Sequence, residues 1–187
     1  MQTVEAVKTK DEADKVASKL ALNAKGNTLY SDIWSFGLQV ALRISDLLSV
    51  TMAEARQGRI IIKEEKTGKT RNIDLNDKAR AIVEARCQAN PHHIYLFQVE
   101  SNRTRSMEAK PVSRIAVASA FKAVGEELGI QLGTHSMRKT RGWIMHSSGV
   151  SIELICKVLN HSSPAITMYY LGLTQKEIDD TYHQFVI

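Results

Sequence analysis

One stretch of this chain stands apart from an otherwise helical pattern, and it limits the fold more than any other feature. In RIIIKEEKTGKTRNIDL, residues 59–75, β-branched runs flank a polar segment containing Gly68. That pattern predicts a β-hairpin with Lys66 close to its turn. Everywhere else the strong signals have helical period. The sequence therefore predicts a mainly α chain with a small antiparallel β-sheet, an α+β fold.

The helical segments have recognisable ends. After Thr9 or Lys10, DEADKVASKLALNA carries acids in its first turn and apolar positions at Ala13, Val16, Leu20 and Leu22, ending near Gly26. A second helix is expected from Thr28 to Leu42, apolar most of the way round and hence central, with Arg43 at its C-terminal end. A short helical stretch spans Ser45 to Ser49, and another helix runs from Asp77 to Gln88 until Asn90-Pro91 stops it. Pro111 is expected to start a helix that Gly129 closes. Three shorter helices follow, over 136–148, 152–159 and 164–170, with Pro164 in the first turn of the last. Thr174 can cap a final helix, QKEIDDTYHQF, whose apolar face is Ile178, Tyr182 and Phe185.

A length of 187 residues fits one domain with its own core. The net charge of +5 and pI near 9.2 suit a polyanionic partner, because basic side chains displace counterions from a phosphate backbone. The polar stretch from Gln98 to Lys110 carries Arg103, Arg105 and Lys110 and is the best candidate for a DNA-facing loop. No apolar run reaches the length of a membrane span and the N-terminus has no apolar signal core, so a cytoplasmic location is expected. Cys87 and Cys156 have no CxxC partner or companion histidines at metal spacing, and are expected to be reduced, half-buried core residues with no metal.

Chemistry-bearing residues concentrate in the last third. His135 and Arg138 lie three apart on one helical face, His161 follows a short helix, and Tyr170 comes nine residues after it. Arg43 and Lys66 come from the N-terminal half. In that order ALRISDL, KTGKTRNIDL, HSMRKT and LNHSSPAITMYY resemble the boxes of the tyrosine recombinases, the phage-integrase family. The match runs from about Leu42 to Tyr170, and the ordered set is far more specific than any one box. The resemblance implies the tyrosine-recombinase catalytic-domain fold of DNA breaking-rejoining enzymes.

The chemistry explains the residue types. Attack on a phosphodiester builds charge on the non-bridging oxygens, which arginine forks hold through paired charge-assisted hydrogen bonds; Arg43 and Arg138 are the candidate clamp. A tyrosine hydroxyl, with a pKa near 10, is a weak nucleophile unless a positive cradle or a base assists it. The departing 5′ oxygen needs a proton, and the resemblance implies Lys66 as its donor. His135 is expected to assist proton transfer at Tyr170, and His161 to hydrogen-bond the phosphate. The covalent 3′-phosphotyrosine conserves the bond energy, so neither ATP, a cofactor nor a metal is expected.

Several assignments have local competitors. Lys63 and Lys69 flank Lys66, which is favoured because it heads the KTGKTR stretch. Tyr169 adjoins Tyr170, and only one of the two can reach a phosphate since neighbouring helical side chains point about 100° apart; the offset from His161 resembling the family selects Tyr170. Asp46 either orients Arg43 through an ion pair or caps a helix. Lys139 and Arg141 are phosphate-binding or simply solvated. Asn160 stands where relatives carry glycine before the histidine, and asparagine also tolerates left-handed angles.

For the whole molecule, the expectation is one catalytic domain over 1–187, with 171–187 a tail helix that either folds back or passes to a neighbouring protomer, and without the family's N-terminal core-binding domain. The expected activity is site-specific recombination or integration on double-stranded DNA by a homo-tetramer on synapsed sites, monomeric in isolation. A type IB topoisomerase-like relaxing enzyme and a non-catalytic DNA-binding regulator of the same fold are the alternatives.

Overall fold

A computed structural model describes residues 4–99, 108–173, 183 and 186. Helix α1 (Lys10–Asn23) starts at a capping box in which Thr9 and Glu12 satisfy each other's backbone N–H groups. It buries Ala13, Val16 and Leu20, whereas Leu22 is 70% exposed. Leu22 lies about 200° round the helix from Leu20, so it falls off the apolar stripe on which the sequence reading had placed it.

Helix α2 (Leu29–Val40) is the central element: Ile33, Trp34, Phe36 and Val40 are buried on several of its faces. The Trp34 indole meets Phe121 edge-on at 5.5 Å and its Nε1–H donates to the Ala13 carbonyl at 2.9 Å. α2 stops short of the expected Leu42, because Ala41 turns left-handed at φ +50° and its N–H closes on the Gly37 carbonyl. Arg43 is consequently not the last residue of α2 but the extended N-cap of the next helix, α3 (Ile44–Leu48). A further short helix, α4 (Met52–Arg56), had no counterpart in the sequence reading, although its Thr51-x-x-Glu54 capping box is written there.

Strands β1 (Arg59–Lys63) and β2 (Thr70–Asp74) pair antiparallel from Arg59↔Asp74 to Lys63↔Thr70, which puts Lys66 in the turn. An isolated two-stranded hairpin is marginal in water. Here Ile60 and Leu75 sink into the helical core while Ile61, on the opposite face, stays in solvent.

Helix α5 (Asp77–Ala89) ends at Asn90 as expected. Pro111 does not begin a helix: it bridges to Gln98, and Ser113 caps α6 (Arg114–Leu128), which left-handed Gly129 closes. α7 (Ser136–Ser147), α8 (Ile152–Val158) and α9 (Pro164–Leu171) follow, with Pro164 in the first turn of α9. Among the described residues these nine helices and one hairpin are the regular structure, in agreement with the mainly α expectation.

Burial divides unevenly. A large core gathers α1, α2, α5 and α6 around Trp34, Phe36, Phe97 and Phe121, and a small one joins Ala41, Ile155, Leu159 and Leu171. Two glycines let α7 bind both. At Gly37 a Cβ would collide with Met137 Sδ, and at Gly142 a Cβ would lie 2.8 Å from Leu171 and 3.1 Å from Leu159. The N-terminal segment also straps α7, with the Val7 N–H donating to Thr140 Oγ1 at 2.8 Å. Cys87 and Cys156 are free and more deeply buried than expected. No described helix is long and apolar enough to cross a membrane. The expected tail helix, apart from the isolated residues 183 and 186, and the candidates Arg103 and Arg105 lie outside the described residues.

Candidate active site

The seam between the two cores is where the sequence candidates meet. The left-handed turn at Ala41 exposes the carbonyls that end α2, the negative pole of the helix. Arg138, 1% exposed, donates through Nη1 to the Ala41 carbonyl at 2.6 Å and through Nη2 to the Leu159 carbonyl. Arg71 donates to the Val40 carbonyl at 3.2 Å and the Ala41 carbonyl at 3.4 Å. The cations at this helix end are thus Arg71 and Arg138, and the sequence position of Arg43 had been misleading. Each Nη of Arg138 carries a second N–H, so the fork keeps donors for a substrate oxygen.

Arg43 approaches from the other side. Its Nη1 lies 2.7 Å from Glu64 Oε2, and Glu64 is completely buried. Asp46 neither pairs with Arg43 nor caps α3. Its Oδ1 accepts the backbone N–H of Glu65 at 2.9 Å, tying the hairpin turn to α3. Lys66 stands exposed in that turn, close enough for its charge to act on His135. Lys63 and Lys69 are also exposed, at the two edges of the same turn.

Tyr170 and Tyr169 separate cleanly. Tyr169 is 88% exposed. Tyr170 packs on the small core, and its hydroxyl lies 3.5 Å from His135 Nδ1 and 3.4 Å from the His135 carbonyl. The His161 ring meets the Tyr170 ring edge-on at 4.9 Å, and His161 Nδ1 is 3.0 Å from Thr167 Oγ1, which fixes the ring and leaves Nε2 as its other polar atom. Asn160 adopts φ +51°, the left-handed turn foreseen for it, and this swings His161 inward.

The electrostatics follow from this packing. Burial raises the Tyr170 pKa, opposed by the charge and hydrogen bond of Arg138 and the charge of Arg43. Dehydration, then the charges of Arg138 and Arg43, pull His161 down to about 4. The same three causes, with Lys66 and Lys139 added, lower His135. Both shifts favour the neutral imidazole, the form in which the ring beside Tyr170 can accept a proton. Lys139 stands 5.3 Å from the Tyr170 ring centroid, a cation–π contact rather than a purely solvated position. Arg141 is half-buried with its Nε unpartnered, and Lys110 is exposed. No described cluster of histidine, cysteine and carboxylate groups could hold a metal ion.

Arg43, Lys66, His135, Arg138, His161 and Tyr170 therefore converge from five separate segments, and the chain matches the model of the phage integrase family over residues 7–177. The chain belongs to the phage integrase family. Among its relatives is a probable integrase/recombinase, YoeC, of Bacillus subtilis, 32% identical over 155 residues, 82% of each chain. The crystal structure of XerA recombinase has the same fold, with TM-score 0.71 at 19% identity, covering 98% of this chain and 65% of that one. A lambda integrase tetramer bound to a Holliday junction superposes with TM-score 0.66 at 16% identity, covering 91% of this chain and 49% of that one. This family member thus spans most of YoeC but under two thirds of the two solved recombinases. These proteins are recombinases and integrases, which does not favour the relaxing-enzyme or regulator alternatives.

Glu64, Arg71 and Thr167 line the same seam but were not among the sequence candidates. Arg71 was legible, since it closes the KTGKTR box. Glu64 and Thr167 were not, because a carboxylate before a turn and a threonine in a helix ordinarily face solvent.

Proposed function

We propose that this chain is the catalytic domain of a site-specific DNA recombinase that cuts and rejoins one strand at a time through Tyr170. The observation that carries the reading is the convergence of the Tyr170 hydroxyl with His135 and Arg138, while Tyr169 points into solvent. Tyr170 Oη attacks the phosphorus and its proton passes to neutral His135. Arg43 and Arg138 hold the non-bridging oxygens, with His161 as a further donor. The bond from phosphorus to the 5′ oxygen breaks, and that oxygen takes a proton from Lys66. Reversal by an incoming 5′ hydroxyl rejoins the strand, and because the phosphotyrosine keeps the energy of the original bond, no nucleotide is spent.

The partner is double-stranded DNA, held by basic residues that include Arg103, Arg105, Lys110, Lys139 and Arg141. Synapsis of two sites by four subunits in the cytoplasm of the host cell completes the reading. A nicked duplex that loses a short strand after cleavage tests it: the chain should form a covalent protein–DNA adduct that survives denaturant. Tyr170→Phe should abolish the adduct and Tyr169→Phe should retain it; the opposite pattern refutes the assignment.

A further inference from the structure

Glu64 has no assigned part in this chemistry, yet it is the most tightly enclosed charge beside it. The inward face of the hairpin runs Ile60, Ile62, Glu64 at strand spacing, so a carboxylate occupies the place where the alternation calls for an apolar side chain. Burying a carboxylate is costly unless cations and donors surround it, and an apolar residue would fasten the hairpin as well. The surroundings explain the charge. Glu64 Oε2 lies 2.7 Å from Arg43 and accepts from Thr67 Oγ1 at 2.8 Å and Asn160 Nδ2 at 2.6 Å, while Oε1 lies 3.5 Å from Arg71.

These partners belong to three different parts of the site. Arg43 is one half of the phosphate clamp, Thr67 follows Lys66 in the hairpin turn, and Asn160 precedes His161. Arg43 Nη1 touches the carboxylate without an aligned hydrogen bond. The guanidinium is therefore held by charge rather than by an aligned hydrogen bond.

We propose that Glu64 is a positioning residue, whose buried carboxylate sets Arg43 and ties the Lys66 turn to the Asn160–His161 turn so that all three arms address one phosphate. The inference rests on the recombinase reading above. It separates Glu64 from a plain hairpin anchor, which would affect folding but not the balance between binding and chemistry.

The test compares Glu64→Gln with the unaltered chain on the nicked duplex, at saturating protein, in single turnover. A second duplex carries sulfur in place of the bridging 5′ oxygen, a leaving group that departs without a proton. Glu64→Gln should form the adduct more slowly by roughly 30-fold or more on the oxygen substrate, with DNA affinity within about threefold. On the sulfur substrate the deficit should shrink to about tenfold or less, because misplacement of Lys66 no longer matters and only that of Arg43 remains. Asn160→Gly, which keeps the left-handed turn but cuts one tie, should slow the oxygen reaction by about tenfold. It carries the test alone if Glu64→Gln does not fold. Unaltered rates in the folded variants, or losses of affinity that match the losses of rate, overturn the proposal. If the unaltered chain forms no adduct, the recombinase reading fails first and takes this inference with it.

Discussion

The two arginines proposed to clamp one phosphate are held in opposite ways. Arg138 is fixed by neutral backbone carbonyls at the junction of α2, α7 and α8, and Arg43 by a carboxylate at the start of the hairpin turn. A carbonyl belongs to the fold and cannot titrate, so the Arg138 side is as permanent as the left-handed turn at Ala41. A carboxylate can be neutralised or outcompeted by a substrate phosphate, so the Arg43 side can be reset without unfolding anything. One side of the site is framework and the other is adjustable.

The sharpest way to break this comparison is to remove each arginine in turn. Arg138→Ala leaves the Leu159 carbonyl without its donor and the Ala41 carbonyl with only the long bond from Arg71, and should cost about 2–4 kcal/mol, read from urea unfolding. Arg43→Ala leaves Glu64 with Arg71, Asn160 and Thr67, and should cost only about 1 kcal/mol while still eliminating adduct formation. Equal stability losses would erase the distinction between framework and adjustable side.

A smaller effect sharpens the framework side. Gly142→Ala should push Leu171 and Leu159 away and displace Tyr170, costing about 1–2 kcal/mol and slowing adduct formation about tenfold with DNA affinity unchanged. Gel-resolved adduct kinetics beside a binding titration would show the split.

The smallest expected effect is in pH. Burial would raise the Glu64 pKa, but the hydrogen bond from Thr67, the guanidinium of Arg43 close against the carboxylate and the hydrogen bond from Asn160 outweigh it, leaving the carboxyl below its ordinary 4.5. A depressed carboxyl contributes stability that is complete above its unfolded value and is lost as pH falls through the folded value. The stability curve of Glu64→Gln should therefore be flatter than that of the unaltered chain below about pH 4.5. His161 acts over a higher window: with a folded value near 4 against 6.5 unfolded, it draws stability down as pH falls from 6.5 towards 4. His161→Gln should reduce that slope to the part that His135 contributes and leave the lower one. Coincident curves for Glu64→Gln and the unaltered chain would mean that the Arg43 side is no more adjustable than the other.

By itself the sequence determined most of the described helices, the hairpin and the ordered residues that resemble the family, because periodicity, caps and short boxes are local properties. It foresaw the left-handed Asn160 and chose Tyr170 over Tyr169 by its offset from His161. Only the tertiary structure decided what holds those residues. Arg43 looked like the charge at the end of α2 until Ala41 turned the chain two residues earlier and Arg71 and Arg138 arrived from distant segments to cap it. Glu64 carries no local sign of its burial: Arg43 and Asn160, far away along the chain, and Arg71 from the facing strand enclose it. Burial and ion pairing depend on residues far apart along the chain, and no local pattern records which of them will meet.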